Sequence, residues 1–344
     1  MKTIKISHEV PLCLLEESLK FCDYQYALPH LLESNETYRL HFLRCKNKGV
    51  EIYMDNSLHE LGHSMDADVL LKWIDILEPS NFFIPDVWED CTASIVNAKY
   101  WSKIQLPKNT TKVAVVQAKS INEAIRCTQT YIDLGYEKIA YSYGASYYND
   151  IYPHINKDLG KALGRLKMIS TLYSNGVLLP TSRVHLLGTA CPIEFSLYKG
   201  IKCIESVDTS NPIMAAVDGI KYNNLGTHSK PKSNMNSCSN IDYKDINMEL
   251  LNHNVKTFKN IIKTNNMDDN KQNVELMSLY DYLKRPAGAE LGKKVYEYAR
   301  RTNQAKRIQT REISNSKYKG TVLLYPKHVL DQYFAPEEVI DLPF

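Results

Sequence analysis

A chain of 344 residues that is 44% hydrophobic can bury a sizeable core, as one large domain with an appendage or as two domains. With 24% charged residues and a formal net charge of +3, it is not a purely electrostatic nucleic-acid coat, although a mild global charge leaves room for a local basic patch. The 8 cysteines are scattered without a C-x-x-C pair, no apolar run reaches the ~18 residues of a membrane span, and MKTIKISHEVPL carries no signal-peptide core. Reduced thiols and the cytoplasm, of a cell or of an infected host, are therefore expected, with no membrane partner.

From about residue 24, short apolar segments alternate with segments of helical periodicity. The expected strands are 24–31 (YQYALPHL), 50–56 (VEIYMDN), 81–87 (NFFIPDV), 111–118 (TKVAVVQA), 138–144 (KIAYSYG), 183–190 (RVHLLGTA), 203–210 (CIESVDTS) and a weak one at 225–230 (LGTHSK). Helices are expected at 67–77, 121–135 and 193–201 among others. Such alternation implies a parallel sheet, and eight repeats close most simply into a TIM-type (β/α)8 barrel. A doubly wound open sheet is the alternative, but no G-x-G-x-x-G follows the first strand.

A barrel places its chemistry where strands end. The residues there are His30, Asp55, Asp86, Gln117, Gly144, Gly188 and Asp208. Asp55, Asp86 and Asp208 each close an apolar run, in YMD, IPD and SVD. One such Asp can simply cap the next helix, but a carboxylate at the end of a buried strand is costly unless paired or used. Three at corresponding places point to a shared active site.

The segment His59-Glu60-Leu61-Gly62-His63 matches H-E-x-x-H, in which two imidazoles one helical turn apart hold zinc. Here Ser57 is the expected N-cap, with His59 in the first turn and Glu60 closing a capping box. Gly62 weakens any helix through the motif, and no third-ligand continuation follows, so zinc hydrolysis is not the expected chemistry.

Beyond residue 230 the pattern changes. Residues 231–245 are polar and loop-like, 250–263 form an expected closing helix, and 264–273 a linker. Between Arg285 and Lys327 stand 11 Lys/Arg against 3 Glu, so 11 − 3 gives a local charge near +8. Arg285, Lys293, Lys294, Arg300, Arg301, Lys306, Arg307 and Arg311 are candidate phosphate contacts, interleaved with Tyr296, Tyr298, Tyr318 and Tyr325 as candidate stacking groups. A solvated helix face over ordinary core tyrosines is the plainer alternative.

The run HLLGTACPIEFSLYKGIKCIESVDTSNP (185–212) resembles a segment of the tRNA-guanine transglycosylase (queuine tRNA-ribosyltransferase-like) superfamily, with Leu187, Gly188, Pro192, Glu194 and Asp208 matching in order and spacing. MDNSLHELG resembles the family's Asp-Ser-Gly-Gly-Phe-Gln turn, FIPDVWEDCT its base-recognition strand, VVQA its Val-Gln-Gly, and His253-Asn254 a pair in its closing helix. The resemblance covers roughly residues 24–263. It implies a catalytic barrel at 1–263 and, at 264–344, a linker with a basic nucleic-acid-binding extension.

It further implies Asp208 as nucleophile, Asp55 as general acid/base, and a base pocket of Asp86 (with Asp90 as competing match), Gln117, Gly144, Leu187 and Gly188. His59 stands in place of a base-stacking Phe, and Glu60 in place of Gln. The family's zinc cysteines are missing but for Cys238, so neither a structural zinc nor another cofactor is expected. Compactness and the basic tail make the chain most similar to the phage DpdA subfamily, which inserts 7-deazaguanine bases of the preQ0 type into DNA, a modification that protects phage DNA from host restriction. DNA and a 7-deazaguanine co-substrate are therefore the expected partners. A tRNA substrate, or a catalytically inactive partner subunit, is the alternative.

Overall fold

The computed structural model describes residues 3–266, 275–301, 308–314 and 319–334. The chain divides into two compact units, Met1–Asn266 and Met267–Phe344. Among the described residues no helix is long and apolar enough to cross a membrane.

The first unit is a TIM-type (β/α)8 barrel. Its strands are β1 (Lys5–Ser7), β2 (Gln25–Ala27), β3 (Ile52–Met54), β4 (Asn81–Phe83), β5 (Thr111–Val116), β6 (Lys138–Ser142), β7 (Arg183–Leu187) and β8 (Ile204–Asp208). All neighbours are parallel, in the order β1-β8-β7-β6-β5-β4-β3-β2. The seam between β1 and β2 is bridged rather than laddered: Asp23 donates its N–H to the Ile6 carbonyl at 2.7 Å, and the Ile6 N–H donates to the Asp23 carboxylate at 2.9 Å.

Eight strands are present, but not the expected eight. Residues 225–230 form no strand; they contribute only part of an isolated bridge between Asn223 and Gly226. The missing member is β1, ahead of the segment where the alternation becomes visible. Residues 29–31 belong to a helix opened by Pro29, not to a strand, because proline fixes a helical φ and has no N–H to give a ladder.

The helices follow their apolar stripes. Ala67–Leu77 buries Leu70, Trp73, Ile74 and Leu77, an i, i+3, i+4, i+7 face. Ile121–Asp133 buries Ala124, Cys127, Thr128 and Tyr131 in the same spacing. Asn35, Asp90, Ser120 and Asn156 cap the helices they precede by accepting from N–H groups in the first turn. The expected helix at 193–201 is instead a 3-10 turn, Pro192–Leu197, with Glu194 buried inside it.

The closing helix is Met248–Asn266. Asn254 accepts from the Tyr222 N–H at 2.9 Å and donates to the Ile220 carbonyl at 2.9 Å, while His253 bonds the Tyr222 carbonyl at 3.0 Å. The His-Asn pair is thus a clamp on residues 220–222.

The second unit is a three-stranded antiparallel sheet, with β9 (Leu276–Ser278), β10 (Gln309–Ser314) and β11 (Lys319–Pro326) in the order β10-β11-β9. Leu279, Val295, Tyr325 and Leu330 form its core. Its helices are Leu279–Leu283, Ala289–Arg301 and Lys327–Phe334.

Candidate active site

The strand ends converge on one cavity of about 330 Å3, within the usual size of a small-molecule site. Asp55, Asp86, Gln117, Gly144, Gly188 and Asp208 all line it, with Leu187, His59 and Glu60. His30 does not; its ring bonds the Ser57 hydroxyl at 2.8 Å.

Asp208 is the last residue of β8 and is 3% exposed. A register irregularity between Val184 and His185 pairs His185 of β7 with Ser206 of β8. That shift sets the buried His185 ring between two partners, with Nε2 at 2.7 Å from the Asp208 carboxylate and Nδ1 at 2.8 Å from the Ser206 hydroxyl. Burial holds the His185 pKa well below the usual imidazole range, so the ring is neutral. An ionised Asp208 then selects the tautomer that donates Nε2–H to it and accepts the Ser206 hydroxyl at Nδ1. Burial, and next the Asp55 charge, push the Asp208 carboxyl above its ordinary value, opposed by a hydrogen bond from Glu9.

Asp55 follows β3. Its two oxygens accept from the Tyr26 hydroxyl at 3.0 Å and the Ser57 N–H at 3.1 Å. Burial raises its pKa and these bonds oppose the rise. Asp86 is 5% exposed, and each of its oxygens accepts one amide: Asn56 Nδ2 at 2.7 Å and Gln117 Nε2 at 2.7 Å. Burial nevertheless lifts its pKa to about 7. The competing Asp90 is solvent-exposed and caps the helix Cys91–Lys103. Gln117 is less free than the resemblance implies, since it braces Asp86 with one end and accepts the Glu89 N–H at 3.0 Å with the other. The Gly144 N–H likewise already meets the Ser142 hydroxyl, at 3.2 Å.

Two glycines shape the wall. Gly188 has φ +60°, and a Cβ there would lie 2.4 Å from the Tyr143 ring. A Cβ on Gly144 would lie 2.7 Å from the Trp88 ring, which packs over it. Trp88 also lies 6.0 Å from the His59 ring, so two exposed rings sit side by side on the cavity lining.

The HELGH segment does not build a zinc-protease site. The helix runs only from Leu58 to Leu61, Gly62 turns left-handed at φ +76°, and His63 lies past its end. Ser57 itself has φ +63° and no side-chain cap bond, so the expected capping box is absent; Asn56 accepts the Leu58 N–H instead, at 2.9 Å. Among the described residues no group of three His, Cys, Asp or Glu side chains is placed to hold a metal ion. Cys238 meets the Ser237 hydroxyl, with Sγ 3.6 Å from its oxygen.

Three contributors escaped the sequence reading. Glu9, two residues beyond β1, lines the cavity together with Asp208. Lys230 lies at the mouth with its ammonium 5.4 Å from the Tyr143 ring centroid. Behind the wall, the buried Arg165 grips Glu194 through two bonds of 2.7 and 2.8 Å and donates to the Leu187 and Gly188 carbonyls at 2.7 and 2.8 Å. The polar loop 231–236 closes one side, tied down by Ser233 and Lys232 bonds to Asp218.

In the second unit, Arg285, Lys293, Lys294, Arg300 and Arg311 are exposed. Lys294 pairs with Glu290 and Arg311 with Asp281. Lys293, Tyr296 and Arg300 share one exposed face of the helix Ala289–Arg301. Tyr325 is a core residue and Tyr298 packs edge-on against Tyr333, so neither is a free stacking platform. Lys306, Arg307, Lys317 and Tyr318 lie outside the described residues, as does the side chain of Arg301. The sequence matches no protein-family model and no curated protein.

Proposed function

We propose that the protein is a glycosyltransferase that exchanges guanine in DNA for a 7-deazaguanine base of the preQ0 type. The observation that carries the reading is one cavity that joins a buried, His-oriented Asp208 to Asp55 and to the amide-braced Asp86. Base exchange at a nucleoside follows the retaining-glycosidase scheme with an incoming base in place of water. Asp208 attacks C1′ as guanine leaves, giving a covalent sugar ester; the incoming base then displaces Asp208. Asp55 handles protons at the ring nitrogens.

Asp86 recognises the N1–H and exocyclic amine of guanine. Its two oxygens keep lone pairs beyond those that Asn56 and Gln117 occupy, and Gln117 Nε2 has a second hydrogen for a base carbonyl. Adenine would leave these groups unpaired. Flipping a nucleotide out of a duplex costs a few kcal/mol, which a phosphate contact from Lys230 would help to offset; the exposed Lys293 and Arg300 of the second unit are separate candidate phosphate contacts. DNA as the substrate rests on the subfamily resemblance; tRNA is the second reading.

The test is incubation of the full chain with labelled guanine and either DNA or tRNA, followed by denaturing electrophoresis for a covalent adduct. Asp208→Asn is expected to abolish both exchange and adduct. Normal exchange in that variant would end the nucleophile assignment, and exchange only into tRNA would replace DNA as substrate. An inert wild-type chain would favour the partner-subunit alternative.

A further inference from the structure

We propose that Glu9 is the acid that protonates the departing base, with Asp55 kept as the group that accepts protons from the ring nitrogens, and that formation of the bond between Asp208 and the sugar is what releases the Glu9 proton. This rests on the base-exchange reading. Glu9 reaches the site through the β1–β8 ladder. Ser7 pairs with Asp208, the Thr209 N–H donates to the Ser7 carbonyl at 3.1 Å, and the His8 ring bonds the Thr209 carbonyl at 2.9 Å. With residues 7 and 8 fixed in this way, Glu9 lies on the wall of the cavity that Asp208 also lines.

Two carboxyls crowded into one cavity cannot both ionise easily, which favours the state in which one of them carries a proton. Asp208 also meets His185, which favours its charged form. Glu9 faces the Asp208 and Asp55 charges, with Lys230 opposing, and Glu60 and Tyr26 line the same wall. Burial first, and those charges next, raise the Glu9 pKa well above the carboxylate range. Asp55 is placed differently, because the Tyr26 hydroxyl and Ser57 N–H both donate to it and set it up as an acceptor. One cavity thus holds a protonated and an ionised carboxyl, the arrangement that separates acid from base.

The electron and proton balance closes. An Asp208 oxygen forms the bond to C1′, the C1′–N pair leaves with the base, and Glu9 gives its proton to a nitrogen of that base. The ester is neutral, so the charge that kept Glu9 protonated is gone at the moment an acid is needed. In the return step the incoming base attacks C1′, its N–H proton passes to the Glu9 carboxylate directly or by way of Asp55, and Asp208 departs as carboxylate.

The experiment is single-turnover adduct formation by the full chain across pH, on oligonucleotides carrying guanine or N7-methylguanine, a base that leaves without needing a proton. Glu9→Gln is expected to slow the guanine reaction by about 10²-fold or more and to remove the fall in rate at high pH. The same variant should act on N7-methylguanine at close to the wild-type rate. Asp55→Asn should keep the high-pH limb. Glu9→Asp, which retains the acid on a shorter stem, should be slower yet keep that limb, and it carries the test if the Gln variant does not fold. A guanine rate within about threefold of wild type, or a loss equally large on N7-methylguanine, overturns the role of Glu9 alone. A wild-type chain that forms no adduct on either DNA or tRNA overturns base exchange and this proposal together.

Discussion

At the scale of single residues, Asp208 is set by what surrounds it more than by its own position. On the base-exchange proposal Asp208 is the nucleophile, and a carboxylate free to rotate at a strand end would serve poorly; His185 pins one of its oxygens at 2.7 Å. A hydrogen bond to a charged group contributes about 1.5–3 kcal/mol, and roughly 1.4 kcal/mol is tenfold in rate. His185→Phe keeps the ring volume and removes the donor. If base exchange is the reaction, it is expected to slow adduct formation about 10- to 100-fold while nucleic-acid affinity stays unchanged, and His185→Gln, with an N–H at similar reach, should recover much of the loss. Equal losses in the Phe and Gln variants, or a change confined to affinity, would make His185 a packing residue only. Asp55, Asp86 and Asp208 were legible because each ends an apolar run. His185 was not, because inside RVHLL one polar residue on a buried strand gives no sign of its partner.

At the scale of elements, strand length decided what could be read. β1 to β4 are three residues each, too short to display alternation or a buried run. β2, β3 and β4 were found because polar or proline punctuation and a helix follow each one. β1 sits in KTIKISHEV, close to the N-terminus and flanked by charge, and an unrelated loop at 225–230 filled the count of eight. Glu9 follows β1 as the other lining residues follow their strands, so without a visible β1 pattern it carries no signal in the sequence.

The Pro192–Leu197 turn shows the opposite effect, tertiary structure overriding a helical pattern. Glu194 turns inward because Arg165 must be neutralised, and Tyr198 and Thr189 satisfy it further. Removing one partner of a buried pair costs about 3–5 kcal/mol. Glu194→Ala should lower the barrel's unfolding free energy by that amount in urea titration, and Glu194→Gln, which keeps an acceptor, by less. A loss under about 1 kcal/mol would show that the Leu187–Gly188 wall does not depend on this fork.

At the scale of the whole molecule, the two ends of the barrel differ in how their charges are met. At the N-terminal ends of the strands Lys138 and Arg183 neutralise Glu205. At the C-terminal ends Glu9, Asp55, Glu60, Asp86 and Asp208 share a cavity with Lys230 as the cation on its wall. Glu60 is the most dispensable: burial and then the Asp55 charge raise its pKa to about 9, and its Oε2 has no hydrogen-bond partner. A carboxyl with a raised folded-state pKa binds more protons folded than unfolded, so stability falls as pH rises between its two pKa values. Buried histidines act in the opposite sense at lower pH. His8, held to about 4 by burial, favours the folded state increasingly until its unfolded pKa of 6.5 is passed. Above pH 6.5 the carboxyls therefore govern, and Tm should decline from there toward pH 9. Glu60→Gln removes one contributor without touching Asp208 or Asp86. Melting curves at successive pH values should show a shallower decline above pH 6.5 in the variant, with the two proteins converging near pH 4.5, where both side chains are neutral in the folded state. Parallel melting curves across that range would mean that Glu60 is solvated and ionised at neutral pH, and that the crowding of charge at this end of the barrel is borne by Glu9, Asp55, Asp86 and Asp208 alone.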